Sequence, residues 1–280
     1  MHPKSRFVGK IVVVTGASSG IGAASARAFA AEGGHVVVTA RSAGPLERVA
    51  QDITLAGGKA VAIPTNVGDP QAAAALLERV ARELGGIDVL VNNAGVNYRG
   101  PVEERKAEEL AEIIAVNLTA PILLCRAVIP HLRKRGSGAI VNVASLAGRV
   151  PLPDEATYSA SKWGLRGFSF SIAEELAGSG ISVSVVSPGP VDTGFIMSSI
   201  ENVPDLVFSQ PMSTAEEMAA LVVEAAAGGQ REHLPSRASG YLTTMAYLFL
   251  RLRQSLTPLM ERRGRAAKQA YLRRASAAPR

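Results

Sequence analysis

Tyr158 and Lys162 are four residues apart in the run Tyr158-Ser159-Ala160-Ser161-Lys162. On a helix that spacing puts both side chains on one face. An ammonium beside a phenol favours the phenolate, so Lys162 is expected to lower the Tyr158 pKa from about 10. A tyrosine tuned in this way suits general acid–base work. Ser145 stands 13 residues upstream. A second group suits phosphate: Thr15-Gly16-Ala17-Ser18-Ser19-Gly20-Ile21-Gly22. Gly16 permits a tight turn, Gly20 lets a pyrophosphate approach the backbone, and Gly22 lets a helix pack close to a strand. The free N–H groups and positive dipole end of that helix favour an anion. Asn92-Asn93-Ala94-Gly95 suits a turn, hydrogen bonds between strand ends, or contact with an adenosine. Arg41-Ser42 offers a guanidinium fork beside a hydroxyl, a pairing that fits a phosphate.

Something must hold these groups together. The first 190 residues alternate short β-branched runs with Ala-rich helical stretches. Strands are predicted at Lys10–Thr15, His35–Ala40, Lys59–Ile63, Ile87–Asn92, Ala139–Ala144 and Ile181–Ser187. Helices are predicted at Gly20–Glu32, Pro45–Ala56, Pro70–Leu84, within Glu104–Lys134, and at Glu155–Ala177. This β-α-β-α rhythm, with strands apolar on both faces, points to an α/β fold: a doubly wound parallel sheet with helices on both faces. Ligands in such sheets bind beyond the carboxyl ends of the strands. Each group named above follows a predicted strand.

Composition excludes several classes. Cys125 is the one cysteine, so an internal disulfide framework is ruled out. It sits in an apolar run and reads as a small buried hydrophobe. The four histidines are scattered without an HExxH-type pair, and no metal site is expected. No secretory signal pattern follows Met1 and no run of 18 apolar residues occurs, so a cytoplasmic protein is the default expectation. The net charge of +6 is uneven: residues 230–280 carry +9, leaving −3 for the rest.

TGASSGIG, NNAG, Asn117, Ser145, Y-x-x-x-K and Pro188-Gly189-Pro190-Val191-Asp192-Thr193, in that order, resemble the short-chain dehydrogenase/reductase family over about residues 7–228. The resemblance implies a single Rossmann-type domain over 1–228, with a mobile substrate lid at about 194–212; beyond it the basic, partly apolar stretch 229–280 reads as a C-terminal helical extension. It implies Tyr158 as acid/base, Ser145 as hydrogen-bond partner of the substrate oxygen, Lys162 as holder of the nicotinamide ribose, and Asn117 as anchor of a proton-relay water. It implies a cofactor site built from Gly16, Ser18, Ser19, Gly20, Ile21, Gly22, Arg41, Ser42, Asn66, Val67, Asn93, Ala94, Gly95, Tyr158, Lys162, Pro188, Gly189, Val191 and Thr193. Ala40 stands where NAD-preferring members carry an acid, and Arg41 follows, so NADP(H) is the expected cofactor. The chain departs from the pattern in three ways. Asn66 replaces a common Asp, though its carbonyl can still accept from the adenine amine. Ser19 is not basic. The usual last strand is missing, with only Glu232–Pro235 as a short replacement.

The expected activity is hydride transfer between a nicotinamide and a hydrophobic ketone, aldehyde or secondary alcohol, in a homodimer or homotetramer. The alternatives are an NAD-dependent alcohol dehydrogenase of the same fold and a non-catalytic nucleotide-sensing protein. Phe195, Ile196, Met197, Val203, Leu206, Val207 and Phe208 make the lid apolar; they either face a substrate or pack on the core. The apolar segment Tyr241–Leu259, followed by the Arg-rich stretch Arg262–Arg274, has two main dispositions: docking on the enzyme or peripheral contact with a membrane. It is too short and too charged to span a bilayer. Without a recognition fold or an aromatic platform, nucleic-acid binding is not expected.

Overall fold

A computed structural model describes residues 5–198 and 200–277. Six β-branched runs form parallel strands: β1 (Ile11–Thr15), β2 (His35–Thr39), β3 (Lys59–Ala62), β4 (Val89–Asn92), β5 (Gly138–Val143) and β6 (Ile181–Val186). A two-residue strand, β7 (Glu232–His233), pairs in parallel with the end of β6 and stands in for the shortened last strand. The sheet order is β3-β2-β1-β4-β5-β6-β7. The chain reverses direction across the sheet between β1 and β4, which opens a crevice beyond their carboxyl ends.

Alternation along each strand feeds two cores. Val12 and Val14 of β1, Val36 and Val38 of β2, and Val141 of β5 face one side. There they meet Phe29 of α1 (Gly20–Ala31), Leu46 and Ile53 of α2 (Ala43–Leu55), and Val222 of α8 (Ala215–Ala227). Ile11, Val13, Val37, Leu90 and Ile140 face the other side. They meet Leu77 of α3 (Pro70–Leu84), Leu124 and Val128 of α5 (Ala120–Arg135), and Ile172 of α6 (Ala156–Glu175). Helices therefore cover both faces, as the sequence pattern requires.

The long helical stretch expected within Glu104–Lys134 resolves into three parts. α4 (Ala107–Ile114) leads through a π-helical segment, Ala115–Thr119, directly into α5. Extra residues of this kind re-aim side chains within a helix, and this one carries Asn117. By length and composition the run Ala107–Arg135 is apolar enough to cross a membrane. Leu124, Cys125, Val128 and Leu132 of that run are nonetheless buried in the second core. Cys125 is buried as expected, and burial pushes its thiol up to about 12.

The C-terminal extension is two helices, α9 (Arg237–Leu248) and α10 (Leu250–Ala277). Glu232 of β7 accepts from Arg149, Arg166 and Ser187. The same Arg149 donates to Thr243 and Thr244 and to the Gly240 carbonyl, tying α9 to the sheet end. Farther on, α10 packs against the lid. Ala267, Tyr271 and Leu272 close over a small apolar cluster of Ile196, Ile200, Val203 and Phe208. Lys268 donates to the carbonyls of Glu201 and Val203 at 2.8 and 2.7 Å.

Candidate active site

The glycine turn after β1 is held open by its neighbours. Gly16 and Gly20 have φ of +65° and +53°, a left-handed conformation that side chains rarely adopt. A Cβ on Gly22 would overlap the Gly16 carbonyl and the Asn93 amide, so α1 packs against the turn only because residue 22 has no side chain. Asn93 donates to the carbonyls of Thr15 and Gly16 at 2.9 and 3.1 Å. Next to it, Asn92 donates to Asn142, which donates on to Ser169, linking β4, β5 and α6. Ser19 caps α1 in extended conformation with no side-chain hydrogen bond to the helix. The first N–H groups of α1 thus keep their bonding capacity, and no acidic residue occupies the first turn. This cradle fits a dinucleotide pyrophosphate.

Nearly all the expected site residues line one cleft of about 770 Å³. Ser18, Ile21, Ser42, Val67, Ala94, Gly95, Pro188, Gly189, Val191 and Thr193 are among them, together with Ser145, Tyr158 and Lys162. Gly22 and Asn117 are not on its wall. Asn117 is fully buried behind it; its side chain accepts from the Val96 N–H and donates to the Val96 carbonyl and to Ser161. It thereby fixes the loop that follows β4. The Asn66 side-chain carbonyl already accepts from the Gly68 N–H at 3.2 Å, leaving a second lone pair for a ligand.

Arg41 does not point freely into solvent. Its guanidinium meets Glu112 of α4 at 2.8 Å, and Glu112 in turn accepts from the Tyr98 hydroxyl at 2.6 Å. Ser42 beside Arg41 caps α2 in an extended conformation with no side-chain hydrogen bond to the helix. A phosphate reaching Arg41 would either compete with Glu112 or use the N–H groups that this single contact leaves over.

The electrostatics of the reacting pair differ from the sequence expectation. Burial is the largest influence on Tyr158 and pushes its hydroxyl well above the ordinary phenol value. The Glu155 carboxylate adds to that rise, while the Ser145 hydrogen bond and Arg99 oppose it. Lys162 is buried too, and desolvation pushes its ammonium down to about 8. Its Nζ donates to the Val143 carbonyl at 2.9 Å and lies 5.7 Å from the centre of the Tyr158 ring. In this arrangement desolvation outweighs the charge–charge effect that the four-residue spacing suggests. The Ser145 hydroxyl, which accepts from the Ala147 N–H, sits at the end of β5 and bonds Tyr158.

Three parts of the cleft are not evident from motifs. Arg99 and Glu155 form a buried ion pair on its wall. α9 and α10 roof it with Leu242, Phe249, Leu256 and Met260. The lid divides its apolar side chains: Ile200, Val203 and Phe208 pack beneath α10, whereas Phe195 and Leu206 face the cleft. A signal for the pair was present in the sequence, since opposite charges flank the NNAG and Y-x-x-x-K runs. The roof carried only the apolar stretch itself.

Comparison with known proteins agrees with this geometry. The short chain dehydrogenase family matches residues 10–204. The ketoacyl reductase HetN of Nostoc sp. is 40% identical over 220 residues, covering 78% of this chain and 76% of that protein. The 3-oxoacyl-[acyl-carrier-protein] reductase FabG of Escherichia coli is 41% identical over 187 residues, covering 67% of this chain and 75% of that protein. Among solved structures, a metagenomic short-chain oxidoreductase in complex with NADP superposes with a TM-score of 0.71 at 38% identity, covering 82% of this chain and 97% of that one. This chain belongs to the short chain dehydrogenase family and is an oxidoreductase built on its sheet.

Proposed function

We propose that the protein is an NADP(H)-dependent reductase of hydrophobic ketones or aldehydes, able to run in reverse on secondary alcohols. The observation that carries this reading is Tyr158 with Ser145 and Lys162 on one wall of a cleft whose opposite end is the glycine cradle. NADP(H) would be held by the turn from Gly16 to Gly22 and by Arg41 and Ser42, and when bound it supplies the hydride. Ser145 positions the carbonyl oxygen against the Tyr158 hydroxyl, and Tyr158 delivers the proton to that oxygen. Lys162 steadies the phenolate that remains and the ribose beside it. Asn117 keeps the loop after β4 in place behind Lys162. Apolar roof and lid side chains exclude water and favour an apolar substrate. The relatives' names make 3-oxoacyl thioesters a first choice for a substrate panel.

Steady-state assays with NADPH and NADH test the cofactor. Arg41→Ala is expected to raise the KM for NADPH about 10- to 100-fold, the loss of one charge-assisted phosphate contact. Glu112→Gln, which frees Arg41, is expected to lower it a few-fold, and neither change should move the KM for NADH. Equal KM values for the two nucleotides in the wild type, unaltered by Arg41→Ala, would overturn the NADP(H) assignment, and a lower KM for NADH than for NADPH would favour the NAD-dependent alternative. NADPH binding without turnover of any carbonyl would favour the nucleotide-sensing reading.

We further propose that the outer face of the extension rests on an anionic membrane surface. Tyr241 and Leu248 share one face of α9 and are exposed, Tyr241 by 74%, and the half-exposed Met245 borders both that face and the cleft. Ser239 and Thr243 occupy the buried, opposite stripe, so α9 is apolar on the outside. Residues 237–277 carry nine Lys/Arg and one Glu. Two copies meeting through this face would oppose like charges, whereas anionic head groups complement them. The wild type is expected to sediment with phosphatidylglycerol-containing vesicles and to be released by salt. Tyr241→Ser with Leu248→Ser should weaken that binding at least about tenfold. Failure to bind such vesicles, or a dimer in solution that the same double variant dissociates, would eliminate this contact.

A further inference from the structure

Glu155 immediately precedes α6, and Tyr158 lies one turn further on, so both side chains look the same way. Arg99 comes from the loop after β4 and meets Glu155 at 2.7 Å. The two side chains are only 7% and 5% exposed, yet both belong to the wall of the cleft. The guanidinium lies 5.5 Å from the centre of the Phe195 ring, and Phe195 is 6.1 Å from the Tyr158 ring. Arg99 also reaches the Phe195 carbonyl at 3.4 Å, on α7 (Gly194–Met197). A buried ion pair is poor value as a stabilising device, because apolar residues of similar volume usually serve as well. Its location suggests a different use.

We propose that Arg99 and Glu155 are positioning residues that balance charge around the Tyr158 hydroxyl. The inference rests on Tyr158 being the acid/base of the proposed reaction. Near Tyr158, α6 contributes Lys162, 5.7 Å from the ring centre, and the preceding segment contributes Glu155, which itself has Asp154 beside it. The β4 loop contributes Arg99, and the end of β5 contributes the uncharged Ser145. From α10, Arg253 and Arg263 line the same cleft, and Arg253 is turned to the Pro151 carbonyl. α7 presents only the Phe195 ring. A carboxylate near a phenol disfavours the phenolate and a guanidinium favours it, so the two partners act with opposite sign. Burial pushes the Glu155 carboxyl above its ordinary value, and the Arg99 guanidinium opposes that rise.

The test is the pH profile of kcat/KM in Glu155→Gln, Arg99→Met, the double variant and Arg99→Lys, each first shown to be folded by its melting curve. Glu155→Gln leaves an uncompensated guanidinium and should move the tyrosine ionisation down by about 1 pH unit. Arg99→Met removes the guanidinium that favours the phenolate and should move it up. The double variant, which removes both charges, should return close to wild type, and Arg99→Lys, which keeps the charge, should hold the wild-type profile. Should one single variant fail to fold, the other still reads the sign of its shift, and the double variant must reverse that shift. Lower kcat with an unmoved profile, or shifts of the same sign in both single variants, would reduce the pair to a structural tie and overturn the inference. Tyr158→Phe separates this from the underlying reading: if the same ionisation persists in that variant, Tyr158 is not the group titrating and the acid/base assignment fails on its own account.

Discussion

Tyr158→Phe is expected to lower kcat for the proposed NADPH-linked carbonyl reduction by about 10²–10⁴-fold and to leave both KM values within a few-fold of wild type. The substitution keeps the ring, and with it the packing of residue 158 against Ile113, Ala147 and Leu152. What it removes is the proton that must reach the substrate oxygen as hydride arrives at carbon. On the proposed mechanism Ser145 does not replace that donor, because its hydroxyl is assigned to holding the oxygen in place. Loss confined to kcat identifies an interaction made in the transition state alone, whereas a rise in KM would mean the phenol serves binding. Stopped-flow measurement of NADPH consumption gives the chemical step directly. Activity in Tyr158→Phe within tenfold of wild type would remove Tyr158 from the mechanism.

The parts of this arrangement that follow local rules could be read from the residues. Val-rich runs alternating with Ala-rich stretches permit few arrangements other than a covered parallel sheet, and the cradle at Gly16–Gly22 follows from a strand meeting a helix. Tyr158 and Lys162 share a face because four residues make about one helical turn. The direction of the Tyr158 shift was not legible, because it depends on burial by segments remote in sequence. Phe195 comes from α7, and the roof over the cleft comes from residues beyond 240. The partner of Arg41 was hidden for a similar reason. Glu112 is 71 positions away and reaches Arg41 only because α4 crosses that end of the sheet. The π-helical turn at Asn117 has no compositional signal; Ala115-Val116-Asn117-Leu118-Thr119 reads as ordinary helix. The extension is the largest case. Its apolar residues fitted either docking or a membrane; the fold docks one stripe on the lid and cleft and leaves another exposed.

Gly264→Val is expected to detach α10 from the lid and to speed tryptic cleavage at Arg262 and Arg263 by about 10³-fold. At Gly264 the helix touches the backbone of Asp205–Ser209. A Cβ there would overlap the Asp205 carbonyl oxygen and lie 3.1 Å from the Ser209 nitrogen. Both obstacles are main chain, so neither can swing away as a flexible side chain would, and α10 must retreat instead. A retreat of about 1 Å carries the two Lys268 bonds past hydrogen-bond length and unpacks Tyr271 from Phe208. Lost charge-assisted bonds at roughly 1.5 kcal/mol each, with one aromatic side chain returned to water at about 1.5–3 kcal/mol, together exceed 4 kcal/mol. An opening equilibrium raised by that amount is about a thousandfold, which proteolysis of the open form reports directly. The sheet itself shares no side chain with this contact, so the far-ultraviolet spectrum and NADPH binding should stay near wild type. Turnover should divide by substrate. Leu256 and Met260 belong to the same helix and roof the cleft, so large apolar carbonyls lose kcat/KM while small soluble ones keep it. Unchanged cleavage in Gly264→Val would mean that α10 does not rest on the lid in solution, and the roof would have to be withdrawn from the site.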